Sequence, residues 1–316
     1  MFSATIPPGI LLSGGLLQHN SLAWSIGTHI FPLLGLLTVL TGAAVWAGVR
    51  LFRASQERLW QLAGTVWTRL GTSPPARWLE RHYPRTWSFL GQRLSPTEYL
   101  GLHLTVGVLV TAMMVLLFGG LADALEEDPD LVSFDQTLSE AINSQISRPV
   151  YWTLIGLTAL GGLEANLALG LTVGILLALR GHRLLLISWT AALLGGNLFN
   201  VLLKGLFERP RPVVSQVLLS EPQFSFPSGH AMGSLVLYGM LAYIAIRWAS
   251  KPASRLLIPV AVALVLAIGL TRIFLGVHYF TDVIAGQIAG TAWLAVVITG
   301  TEVARRHRRW RSPPEP

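Results

Sequence analysis

The chain has 316 residues, of which 52% are hydrophobic and only 12% charged. Soluble domains carry about 25% charged residues, so these proportions exclude an ordinary soluble protein and indicate a membrane one. The formal net charge is +7 and cysteine is absent, which excludes disulfide and thiolate chemistry. The arginines sit in loops between apolar runs. That distribution suits membrane topology and anionic lipid, and it speaks against nucleic acid as a partner.

Residues 1–25 carry no acidic or basic residue apart from His19 and contain Pro7-Pro8 and Gly14-Gly15. They read as a flexible or interfacial lead, without the charged region of a cleaved signal peptide. A first spanning helix is predicted over 26–49, long enough for a hydrocarbon core of about 20 residues. Residues 50–98 differ in kind. Eight arginines interleave with Trp60, Trp67, Trp78 and Trp87. This pattern fits amphipathic helices lying on the cytoplasmic bilayer surface, with an RNA-binding patch as the alternative. Pro74-Pro75 is expected to break the segment into two helices.

Six further spans are predicted, over 99–122, about 161–179, 184–204, 229–247, about 256–274 and about 281–300. The acidic stretch 123–149 is read as a loop with a short helix over 133–146, and 150–160 is placed at the outer interface. Glu164 falls near the surface and close to the clusters described below. The fold class expected is all-α, a polytopic membrane bundle. Its parts are a lead and extra transmembrane helix (1–49), a basic segment (50–98), a six-helix core (99–304) and a basic tail (305–316).

Orientation follows from the basic residues. If 50–98 is cytoplasmic, alternation places 180–183, 247–255 and 305–311 on the same side. Together these segments hold 18 of the 23 basic residues. The bias satisfies the positive-inside rule and puts the C-terminus in the cytoplasm. Four of the five basic residues left on the other side are Lys204, Arg209, Arg211 and Arg272. Cations on the unfavoured face, at the ends of apolar helices, call for a dedicated anion site.

These cations belong to three clusters. Arg209-Pro210-Arg211-Pro212 follows the span at 184–204, and the prolines stiffen the turn that projects the arginines. Arg presents a planar fork suited to phosphate oxygens, and Lys204 adds a point charge. Asn197 and Asn200 share a helix face with Lys204, either lining the site or marking a helix–helix contact. Pro227-Ser228-Gly229-His230 opens the next apolar helix, where free N–H groups make an anion cradle. Then come Thr271-Arg272, His278 and Asp282. His278 and Asp282 are four apart, so on a helix they meet. A carboxylate on one ring nitrogen leaves the other free to attack; a buried structural pair is the alternative. A metal held by His230, His278 and Asp282 is disfavoured by the surrounding cations, so neither metal nor cofactor is expected.

At these residues the sequence resembles the type 2 phosphatidic acid phosphatase family of membrane lipid phosphatases. The family pattern is Lys, six residues, Arg-Pro; Pro-Ser-Gly-His; then Ser-Arg, five residues, His, three residues, Asp. Lys204 with Arg211-Pro212, Pro227 to His230, and Thr271-Arg272 with His278 and Asp282 match every spacing, with Thr271 in place of the usual Ser. The resemblance covers about residues 100–300. It implies a metal-independent hydrolase in which His278 attacks phosphorus, Asp282 orients it, and His230 serves as acid and then base. Lys204, Arg211, Ser228, Gly229 and Arg272 would bind the phosphoryl group. Arg209 matches no motif position and is left a supporting electrostatic role. Relatives act on undecaprenyl diphosphate, phosphatidylglycerophosphate, phosphatidate or lipid A phosphates. The implied partner is therefore a lipid phosphate in the bilayer, met on the outer or periplasmic face.

Overall fold

The computed structural model describes residues 72–88, 99–212, 224–249 and 257–311, with Thr65 and Arg69. The lead, the span predicted at 26–49 and most of the basic segment lie outside these residues. Within that segment, α1 (Pro74–His82) starts at the proline pair, with Ser73 as its cap. Proline is tolerated there because first-turn N–H groups lack intrahelical acceptors anyway.

The described residues from 99 onward fold into α2 (Tyr99–Glu127), α3 (Pro129–Asn143), α4 (Arg148–Ala159), α5 (Leu163–Leu179), α6 (Arg183–Phe207), α7 (Gly229–Ala249), α8 (Leu257–Phe274) and α9 (Phe280–Arg311). They contain no strand, and six segments are long and apolar enough to cross a membrane. The protein is an all-α membrane bundle.

Two boundaries correct the sequence reading. The span expected to stop at 122 continues as α2 to Glu127, because Asp123, Glu126 and Glu127 lie at its end beyond the apolar run. The acidic loop is mostly helical. Asp128 accepts from the backbone N–H of Asp130 and Leu131 and restarts the chain as α3, with Pro129 in its first turn. The helix expected at 133–146 thus begins four residues earlier. The long stretch 150–179 divides at Gly161-Gly162 into α4 and α5, near the predicted break.

α7 is the central helix, packed against α5, α6, α8 and α9. Trp189 of α6, Leu237 and Met240 of α7, and Ile268 of α8 form its core. Outward faces are apolar: Leu116 of α2 and Leu179 of α5 are among the most exposed side chains. A hydrocarbon surround is the solvent that suits such faces. Interhelical contact then relies on close approach of small residues. Gly286 of α9 is the clearest case, since a Cβ there would lie 2.6 Å from the Ser228 carbonyl oxygen and 3.2 Å from the Ala231 Cβ.

Gly286→Ala is therefore expected to push α9 away from the start of α7. Overpacking costs about 1–3 kcal/mol, and the shift is against backbone that cannot rotate away. A lowered unfolding midpoint in detergent is the expected result; an unchanged midpoint would refute the close packing.

Candidate active site

The site is built at one end of the bundle, where α6 ends and α7 and α9 begin. The α8–α9 turn reverses through Gly276, whose φ of 64° favours glycine. The N–H groups of Val277 and His278 both donate to the Arg272 carbonyl. His278 consequently precedes α9 rather than lying on it, a correction to the helical pairing expected for His278 and Asp282. The two still meet, with Nδ1 of His278 3.3 Å from Oδ2 of Asp282. The cause is a cap. Asp282, third in α9, reaches back to accept from the Tyr279 N–H at 2.9 Å. The same oxygen that finishes the helix end faces the imidazole, and Nε2 is the nitrogen left over.

Arg209 holds the other side of Asp282. Its Nη1 donates to Oδ1 of Asp282 at 2.8 Å, and Nη2 donates to Oδ2 of Asp135 at 3.0 Å. The guanidinium also stacks over the Tyr279 ring at 4.4 Å. Asp135 accepts from the Thr281 N–H and from the Thr281 hydroxyl. Two carboxylates thus serve donors at the N-terminus of α9, where negative charge is stabilised. Ser225 donates to the Arg209 and Pro210 carbonyls and adds a long contact to Asp282. Asp135 and Ser225 were not singled out from sequence, and Arg209 has a direct bond where only a supporting charge was assigned.

The expected phosphate ligands gather around His278. Arg211 donates to the Val277 carbonyl at 3.1 Å. Lys204 donates to the Phe224 carbonyl. Arg272 is oriented by the Thr158 hydroxyl of α4 at 3.0 Å, while its buried Nε has no partner. Ser228 likewise has a buried Oγ without a partner. Its N–H is taken by the Asp282 carbonyl, so only its hydroxyl can serve a ligand. Gly229 opens α7, whose first-turn N–H groups lack intrahelical acceptors. Orphaned buried donors are rare in native structures, and two beside three cations suit an anion. Thr271, in the family's Ser position, is buried and donates to the Ile268 carbonyl, a local helix bond.

His230 lies in the first turn of α7, within the field of the same cations and of His278. The Gly161-Gly162 turn passes beside its ring. A Cβ on Gly162 would be 3.8 Å from His230 Nε2 and 3.1 Å from Glu164 Oε2. Glu164 is thus next to the site. Asn200 donates to the Pro227 carbonyl and touches Gly229, so it supports the turn, whereas Asn197 on the same helix is exposed. Among the described residues no group of three or more His, Asp or Glu is placed to hold a metal.

The electrostatics follow from burial. His278 is held well below the usual histidine range, first by desolvation and then by Arg272, Arg211 and Lys204. Burial pushes the Asp135 carboxyl up, and the Thr281 hydrogen bond and Arg209 pull it back. His278 should therefore stay neutral across neutral pH. In a histidine NMR titration its resonance is expected not to shift between pH 8 and pH 6.5, the ordinary midpoint; a midpoint at or above 6.5 would refute this. Asp135→Ala leaves Arg209 partly unpaired, and breaking a buried pair costs about 3–5 kcal/mol. A large fall in unfolding midpoint is expected, with Asp135→Asn falling less.

The chain is similar to known proteins over the stretch that carries these residues. Residues 185–306 match the PAP2 superfamily. Over 116 residues the chain is 36% identical to phosphatidylglycerophosphatase B of Bacillus subtilis (strain 168), covering 36% of this chain and 56% of that protein. The match thus spans just over half the length of that curated relative. The fold is similar to a crystal structure described as the first transmembrane PAP2 type phosphatidylglycerolphosphate phosphatase from Bacillus subtilis. The TM-score is 0.55 at 28% identity, over 62% of this chain and 98% of that one. The stretch that carries Lys204, Arg211, His230, Arg272, His278 and Asp282 is a PAP2 superfamily domain, set within a membrane-spanning helical bundle.

Proposed function

We propose that the chain is a lipid phosphate phosphatase that works through a phosphohistidine, with residues 99–304 as its core. The observation that carries this reading is the pairing of His278 with Asp282 beside the unpartnered donors of Ser228 and Arg272. Lys204, Arg211, Arg272, the Ser228 hydroxyl and the first turn of α7 at Gly229 hold the phosphoryl oxygens and stabilise their charge in the transition state. Nε2 of His278 attacks phosphorus, and the bond to the leaving alkoxide or phosphate oxygen breaks. His230 donates a proton to that oxygen. Asp282 keeps Nδ1 protonated and supports the charge that His278 acquires. Neutral His230 then takes a proton from water, the water oxygen bonds phosphorus, and the P–N bond breaks to release phosphate.

The resemblances support a lipid phosphomonoester or diphosphate as substrate, such as phosphatidylglycerophosphate, phosphatidate or undecaprenyl diphosphate. Its tails stay between spans while the head group reaches the cations. The distribution of basic residues supports an outer or periplasmic site. Transfer of the phosphoryl group to a second lipid, in place of water, is the other outcome open to the same intermediate.

The purified protein is expected to release inorganic phosphate from a lipid phosphate in the presence of EDTA, with no acceptor lipid. His278→Ala should lower the rate by at least about a thousandfold, in line with loss of a nucleophile that acts with its partners as a unit. Turnover that stops on chelation and returns with added metal would overturn this mechanism. A requirement for an acceptor lipid would establish the transferase instead.

A further inference from the structure

A second cluster of cations lies at the opposite end of the bundle. α7 runs from His230 at the phosphoryl site to Arg247, about 25 Å away at 1.5 Å per residue. There the α5–α6 turn, the end of α7 and the C-terminal part of α9 enclose a cleft of about 340 Å³. His182, Arg183, Arg247 and Arg305 line it.

Its walls are fixed in place. Gly181, at φ 70°, closes the turn between α5 and α6. His182 packs edge-on against Trp248, with ring centroids 5.2 Å apart. The Arg180 guanidinium lies 5.4 Å from the centre of the same ring. Arg247 and Arg305 both bind the Glu302 carboxylate, at 2.6 Å and 3.2 Å. The Tyr243 hydroxyl donates to it as well. Glu302 is buried, so one carboxylate positions two guanidiniums while the cleft keeps an excess of positive charge. The exposed Arg183 side chain makes no hydrogen bond or ion pair among the described residues.

We propose that this cleft binds the headgroup of an anionic phospholipid from the leaflet at that end of the bundle. Guanidinium forks match phosphate oxygens, and basic pockets between spanning helices at the membrane surface are suited to acidic headgroups. A phospholipid is the occupant because the same rim is apolar. Ile187, one turn along α6 from Arg183, and Trp248 are both exposed. A headgroup in the cleft leaves its tails against such side chains, a contact that free phosphate lacks. The proposal is independent of the catalytic reading and holds whatever the chemistry at His278.

The test uses full-length protein, delipidated in neutral detergent and titrated with phosphatidylglycerol or phosphatidylcholine. Native mass spectrometry reads binding, and the unfolding midpoint reads stabilisation by mass action. Wild type is expected to bind phosphatidylglycerol and gain stability, and to bind phosphatidylcholine far less. Arg183→Gln should weaken phosphatidylglycerol binding roughly fivefold, the worth of one basic residue at a membrane surface. Arg183→Lys should restore most of it. His278→Ala should bind as wild type does, which separates this cleft from the phosphoryl site. Hydrolysis of a water-soluble phosphate monoester should be unchanged in Arg183→Gln. If Arg183→Gln fails to fold, Arg305→Gln provides the same reading, because Arg247 still pairs with Glu302. Equal binding by wild type and a folded cleft variant would overturn the proposal. So would equal binding of phosphatidylcholine, or displacement of the lipid by inorganic phosphate at the same concentration.

Discussion

The end of the bundle that carries His278 depends on one guanidinium. Asp135 and Asp282 are both buried, and two carboxylates so enclosed repel each other and lack water. Arg209 lies between them and bonds to both. It also ties three separate pieces of chain: α3 through Asp135, the segment after α6 that carries Arg209, and the start of α9 through Asp282. Pro210 and Pro212 stiffen that segment, and the Tyr279 ring covers the guanidinium face. The placement of His278 follows, since its ring leans on the carboxylate that Arg209 holds. A side chain outside every recognisable motif thus stands behind the placement of His278.

What could be read in advance was whatever has a short period or a fixed spacing. The apolar runs gave their helices because a bilayer core demands a minimum length. The three clusters were legible because Lys, Arg and His are conspicuous at the ends of such runs. Their convergence on His278 follows from topology, which brings the end of α6 and the starts of α7 and α9 to the same side. Asp135 was hidden for a physical reason. It stands among seven acids between 123 and 149, and such a run ordinarily marks a solvated face. Only the fold shows that Asp135 turns inward, toward an arginine 74 residues further along the chain. Asn197 and Asn200 make the same point, because helical spacing cannot tell which of two neighbours meets the Pro227 carbonyl.

α4 also acquires a purpose that its sequence does not state. It reads as a surplus of apolar residues at an interface. In the fold it packs on α8 and offers the Thr158 hydroxyl to Arg272. The turn after it accepts from the Tyr238 hydroxyl through the Leu160 carbonyl and then runs beside His230. Arg272 is thereby held by a neutral contact, and the same helix ends in the turn that flanks His230. Such a contact orients a guanidinium without offsetting the charge that an anion requires.

The close approach at Gly286 has a geometric consequence. With no side chain between them, the start of α7 and the first turns of α9 touch backbone to side chain, and the Ser228 N–H is bonded to the Asp282 carbonyl. The gap between the helix that carries His230 and the turn that carries His278 is therefore a fixed gauge, set by atoms that cannot change rotamer. Any group held between His230 and His278 must fit that constant width. The outward faces of α2 and α5, by contrast, are exposed apolar surfaces that take no part in this gauge.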